Sequence, residues 1–205
     1  MTPALEPGTP GEGARIVTMP AEAERTFTAH VGMTIFLGSW AMMFGALFFA
    51  YAMLRVRSPV WPPVGVHLPL LVPALNTAVI VLSGLALRRG SQAVDAGRGS
   101  LLLPWLAVAA GLGAAFLAIQ CASWWGLWSA GLTSSSSPFG STFYLLTVFH
   151  ALHVLVGLGL LGTLFPGAAR HAYDVRRRTR LRLVSMFWHF VAVVWILMFV
   201  SVYLV

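Results

Sequence analysis

The chain has 205 residues, 58% of them hydrophobic and only 9% charged, with a formal net charge of +7. Soluble domains carry about 25% charged residues, and the mean hydropathy here is +0.81, which excludes a soluble globular enzyme and a sizeable separate soluble domain. The basic excess does not point to nucleic acid: all thirteen basic residues are Arg, and they flank apolar runs where anionic headgroups would meet them.

Residues 1–27 are rich in Pro, Gly and Glu. They lack a basic stretch leading into an apolar core, so no cleavable signal peptide is expected; a flexible cytoplasmic tail is. A membrane helix needs roughly 20 apolar residues. Five stretches meet this, at about 29–54, 69–88, 101–128, 139–165 and 183–205. Their lack of alternation excludes a barrel, and helices satisfy their own backbone groups in lipid. The expected fold is an all-α membrane protein, with a five-transmembrane-helix bundle over residues 28–205. Its first span would serve as the insertion signal.

Eleven of the thirteen Arg fall in the tail, the loop after the second span and the loop after the fourth. Only Arg55 and Arg57 lie on the other side. The positive-inside rule then places the N-terminus in the cytoplasm and the C-terminus outside. Trp61, Trp124, Trp125 and Trp128 fall at the outer interface, and the Ser134–Ser137 run reads as a connector. Small residues let helices approach closely in lipid. Gly111, Ala115, Ala118, Ala122 and Gly126 on the third span, and Gly38, Gly45 and Ala46 on the first, therefore read as packing surfaces within the protein.

No carboxylate lies inside any span: Glu6, Glu12, Glu22 and Glu24 are in the tail, and Asp95 and Asp174 in loops. This argues against proton pumping by this chain alone. Cys121 has no intramolecular disulfide partner. The buried polar residues include Asn76, Thr77, Ser83, Gln120, Ser123, Thr142, Thr147 and Ser185. Of these, Asn76 and Gln120 are expected to bond across helices. No phosphate loop, metal-spaced cysteine pair or catalytic triad occurs.

Three histidines remain. His150 and His153 share one helical face with Phe143, Leu146, Gly157 and Leu160, and His189 is on the last span. A histidine inside a span needs a partner, a ligand or a packing reason. His189 with His150 or His153 could ligate one b-type haem. The three together could hold a metal, without a carboxylate in support. The plain alternative is hydrogen bonding between helices by neutral imidazoles.

Longer strings carry a resemblance. GSTFYLLTVFHALHV runs from Gly140 to Val154 and WHFVAVVW from Trp188 to Trp195. Supporting matches are GMTIFLGS at Gly32–Ser39, AYAMLR at Ala50–Arg55, Leu75-Asn76-Thr77, and Gln120. In this order, over residues 28–205, the chain resembles subunit III of the haem–copper terminal oxidases in its five-helix form. The family usually has a Glu at Trp40, a Glu at Ser123 and an Asp at Ala192. It often has glycines at Val148 and Ala151. The roles tied to the first-span Glu, carbodiimide reactivity included, are therefore not carried over.

The resemblance implies a non-catalytic subunit of an aerobic oxidase that reduces oxygen to water and translocates protons. No catalytic, metal or cofactor-binding residue is expected in this chain. Haem and copper belong to partner subunits, with subunit I the main contact beside other oxidase subunits and phospholipids. Asn76, Gln120, His150, His153, Trp188 and His189 are the expected structural contacts. Arg55, Arg88, Arg89 and Arg182 are the candidate headgroup contacts, and a bacterial cytoplasmic membrane is the expected location. Two other readings stay open: an accessory subunit of a nitric oxide reductase, and a membrane b-type cytochrome.

Overall fold

The structure, a computed structural model, describes residues 21–61, 70–173 and 178–204, with the backbone alone at 21–23. Its elements are α1 (Ala21–Arg57), α2 (Leu71–Asp95), a 3₁₀ turn (Gly99–Leu101), α3 (Leu102–Ser129), α4 (Pro138–Gly162), a short α5 (Phe165–Ala169) and α6 (Thr179–Phe199), which runs on as a π turn (Val200–Leu204). Among the described residues, five helical spans are long and apolar enough to cross a membrane.

Most of the helices outrun the apolar stretches, although α4 stops at Gly162, short of the expected 165. Ala21–Phe27, expected in the tail, are already helical, while residues 1–20 of that tail lie outside the described residues, as do Asp174, Arg176 and Arg177. Arg88 and Arg89 were expected in a loop, yet α2 carries them, and Asp95 is its last residue. Arg180 and Arg182 likewise lie on α6. The physical reason is that a helix stops where its last carbonyls find other donors, not where hydropathy falls. For α2 that point is Gly97, whose φ is 73°. Its N–H bonds Val94 O at 3.0 Å, and the Arg98 N–H bonds Ala93 O at 2.8 Å. The same paired closure ends α3 at Gly131 and α5 at His171.

The serine run has a structural role at its end. Ser137 caps α4, its Oγ accepting from the Gly140 N–H at 3.0 Å, with Pro138 in the first turn. A Cβ at Gly140 would sit 2.3 Å from Thr133 O, so the capping loop closes only over glycine.

The helices α2, α3, α4 and α6 form the core, and α1 lies against α4 and α6. Between α2 and α3 one antiparallel register holds throughout: Asn76 meets Phe116, Ser83 meets Ala109 and Gly90 faces Leu102. Between α3 and α4, Trp124 meets Thr147 and Gly113 faces Leu158. The fully buried Trp188 ring fills the centre. A Cβ at Gly113 would lie 2.6 Å from this ring, and one at Gly157 2.8 Å from it.

The small-residue ridge is a correction. Gly111, Ala115, Ala118, Ala122 and Gly126 are all exposed, and a Cβ at Gly111 or Gly126 would meet open space. Gly38 and Gly45 on α1 are similarly open. Spacing identified a face of α3, but the face that packs within the chain is the one with Ala109, Gly113, Phe116 and Gln120. That face carries the polar and aromatic groups that need burial.

Candidate functional site

The motif residues converge on the interior of the core. Trp188 donates its Nε1–H to Ser83 Oγ at 3.1 Å, and Ser83 donates onward to Ala109 O at 2.7 Å. One side chain thereby links α6, α2 and α3. Trp195 donates to Thr77 Oγ1 at 2.9 Å, and Trp124 to Thr147 Oγ1 at 3.1 Å. Trp61, which follows α1 and packs on Phe139 at the start of α4, donates to Tyr51 Oη at 3.1 Å. Four indoles thus each find a hydroxyl on another element. A buried indole N–H needs an acceptor, so the signal for these pairs was present in the sequence; the pairing itself was not.

Asn76 and Gln120 sit between α2 and α3. The Asn76 Nδ2 donates to Phe116 O at 3.3 Å and to Gln120 Oε1 at 3.4 Å. Both residues are buried, and Asn76 Oδ1 and Gln120 Nε2 have no partner among the described residues.

The histidines have three different environments. His150 is wholly buried, with Phe116 at 6.1 Å and Trp195 at 5.4 Å between ring centroids. Neither of its nitrogens is hydrogen-bonded among the described residues, so the expected interhelical hydrogen bond is not made there. His153 donates its Nδ1–H to Phe149 O at 2.7 Å and lies edge-on to Trp40, 4.3 Å away. Trp40 thus packs an indole against this imidazole at the position where the resemblance predicts a carboxylate. His189 donates its Nδ1–H to Ser185 O at 2.7 Å, within its own helix. Its other edge faces Gly84 on α2.

This arrangement does not bring the three together. The contacts of Gly157 with Trp188 and of His150 with Trp195 fix the α4–α6 register. His189 is then level with Val156, six residues from His150 and about 9 Å along the axis. It faces α2, whereas His153 faces α1. Two axial ligands must oppose each other across one haem plane, and these imidazoles do not. Among the described residues, no three His, Cys, Asp or Glu side chains form a group that could hold a metal ion.

The arginines also divide. Arg89 stacks over Trp105 at 5.7 Å. Arg178 pairs with Asp95, and Arg182 approaches the same carboxylate at 4.0 Å, tying the end of α2 to the start of α6. Arg88 lines a groove of about 540 Å³ between α2 and α6, with Gly84, Leu85, His189, Ala192 and Val193 on its walls. Arg55 stands in the last turn of α1, at the opposite end of the bundle.

Comparison with known proteins places this arrangement. The family model described as cytochrome c oxidase subunit III matches residues 22–205. The chain is 33% identical over 175 residues to cytochrome c oxidase subunit 3 of Thermostichus vulcanus, covering 85% of this chain and 86% of that protein. It is 36% identical over 175 residues to the subunit 3 of Synechocystis sp., covering 84% and 74%. To the horse subunit, Equus caballus, it is 31% identical over 197 residues, covering 88% and 74%.

Proposed function

The chain belongs to the cytochrome c oxidase subunit III family and is a multi-pass membrane subunit of a haem–copper oxidase, and from that premise we propose that it acts as a non-catalytic scaffold for subunit I and holds phospholipid at its surface. Its own residues are occupied with structure: the indoles with hydroxyls, the histidines with carbonyls and rings. The Ser185 hydroxyl lies 3.3 Å from His189 Nδ1, but that nitrogen gives its proton to Ser185 O at 2.7 Å and so offers the hydroxyl no base. The observation that carries the reading is that the family string WHFVAVVW supplies the wedge of the bundle, its Trp188 seated between Gly113 and Gly157.

Haem and copper belong, in this reading, to partner subunits, with subunit I the principal contact. Oxygen is reduced there, and proton translocation is a property of the whole complex. The location is a bacterial cytoplasmic membrane, with the arginine-rich end of the bundle facing the cytoplasm. The α2–α6 groove suits an acyl chain. Its lining is largely apolar, and Arg88 stands toward the arginine-rich end, where a phosphate would lie. Ala192 keeps the groove wall apolar further along, where an acyl chain would lie.

Mild-detergent purification through a tag on this chain tests the assignment. A large subunit with haem and copper should co-purify, together with anionic phospholipid. Arg88→Leu should reduce the retained lipid while leaving the subunits together. A large subunit with haem but without copper would instead favour the nitric oxide reductase reading. A complete, stable oxidase lacking this chain would overturn the scaffold role.

A further inference from the structure

The core carries a group of polar atoms that its own side chains do not satisfy. Asn76 Oδ1, Gln120 Nε2 and both nitrogens of His150 are buried and without a hydrogen-bond partner among the described residues. They come from three helices: Asn76 from α2, Gln120 from α3 and His150 from α4. Asn76 and Gln120 touch each other across α2 and α3. The α3–α4 register, set by Trp124 with Thr147 and Gly113 with Leu158, puts Gln120 level with Ala151, the neighbour of His150. Phe116, whose carbonyl accepts from Asn76, lies against the His150 ring.

The chemistry of these atoms is complementary but incomplete. Asn76 Oδ1 only accepts, and Gln120 Nε2 only donates. Neutral imidazole offers one donor and one acceptor. Turning both amides over exchanges their roles and still leaves one orphan on each. Buried polar groups that protein does not satisfy are commonly bridged by internal water, each molecule making about three hydrogen bonds. With His150 at 0% exposure and Asn76 at 1%, neither lipid nor a partner subunit can reach them.

We propose that the group of Asn76, Gln120 and His150 is a binding site for internal water, which joins α4 to the α2–α3 pair. The water either accepts from Gln120 Nε2 and donates to the unprotonated His150 nitrogen, or accepts from the His150 N–H and donates to Asn76 Oδ1. It thereby supplies the hydrogen bond between helices that His150 does not make directly. A recess of about 500 Å³ lies one turn nearer the arginine-poor end, with Pro73, Ile119 and Ser123 on its wall.

A high-resolution cryo-electron microscopy map of the intact oxidase tests this. Water density is expected within hydrogen-bond distance of a His150 nitrogen and of Asn76 Oδ1 or Gln120 Nε2. A wild-type map with both His150 nitrogens dry, or bonded directly to protein, would overturn the proposal. In the complex with His150→Gln, which keeps a donor and an acceptor, the water should remain. In His150→Leu it should be lost; unchanged density there would show that His150 does not hold it, and the proposal would fail. If the variants do not assemble, the wild-type map alone decides.

Discussion

The helices α1 and α2 are equally apolar, each with a mean hydropathy of 1.7 over its best stretch, yet 6% of that stretch is buried within the chain in α1 and 39% in α2. The difference lies in what each helix offers its neighbours. The inner face of α2 presents Asn76, Thr77 and Ser83 to donors and acceptors on α3 and α6. By contrast, α1 presents aromatic rings: Phe44 and Trp40 rest on His153, and Tyr51 takes the Trp61 hydrogen bond. Lipid tails are as apolar as leucine, so hydropathy inserts both helices equally and holds neither to its neighbours. Close packing and polar pairing fix α2, whereas α1 leaves most of its surface outward.

The sharpest way to break this comparison is to add bulk to glycines of the two regions. Gly113→Leu would drive a side chain into the fixed Trp188 ring and should cost about 3 kcal/mol or more. The chain should then fail to accumulate in membranes, as read by immunoblot. Gly38→Leu on α1 meets open space and should accumulate as the wild type does. Equal loss from both would show that α1 is as tightly packed as the core.

Phe44→Ala removes the most buried side chain of α1. Truncating a buried Phe costs about 3 kcal/mol in a packed core, and here the loss should fall on one helix. Amide hydrogen exchange should rise along α1 while α2, α3 and α4 keep their protection. A rise across all the helices would mean that α1 and the core open as one unit.

Ser83→Ala should have the smallest effect of the three, about 1–3 kcal/mol, because it leaves the Trp188 indole N–H without its acceptor. It should lower the thermal midpoint at which the subunit leaves the complex. Ser39→Ala on α1, where the hydroxyl bonds only its own helix at Ile35 O, should leave that midpoint unchanged.

Much of this was legible in the chain. Five helices followed from run length alone, because lipid leaves a backbone no other economical way to satisfy its polar groups. Burial of His150, His153, Asn76 and Gln120 followed from the cost of exposing polar groups to lipid. Helix ends were less legible: Arg88 and Arg89 sit on α2 because closure waits for Gly97, beyond the apolar run. The α3 ridge misled because small residues permit close packing without requiring it. Its exposed alanines and glycines match the packing pattern as well as Gly113 does, and only Gly113 meets a ring.

The sequence by itself determined that the chain lives in a membrane, how many times it crosses, and which polar residues must be hidden. Periodicity and hydropathy are local properties and decide these matters locally. Only the tertiary structure decided which groups meet. It gave Trp188 to Ser83, Trp195 to Thr77 and Trp40 to His153, and it turned His189 away from His150. Those pairings depend on the registers between helices, which close approaches at Gly90, Gly113 and Gly157 fix and which no single helix specifies alone.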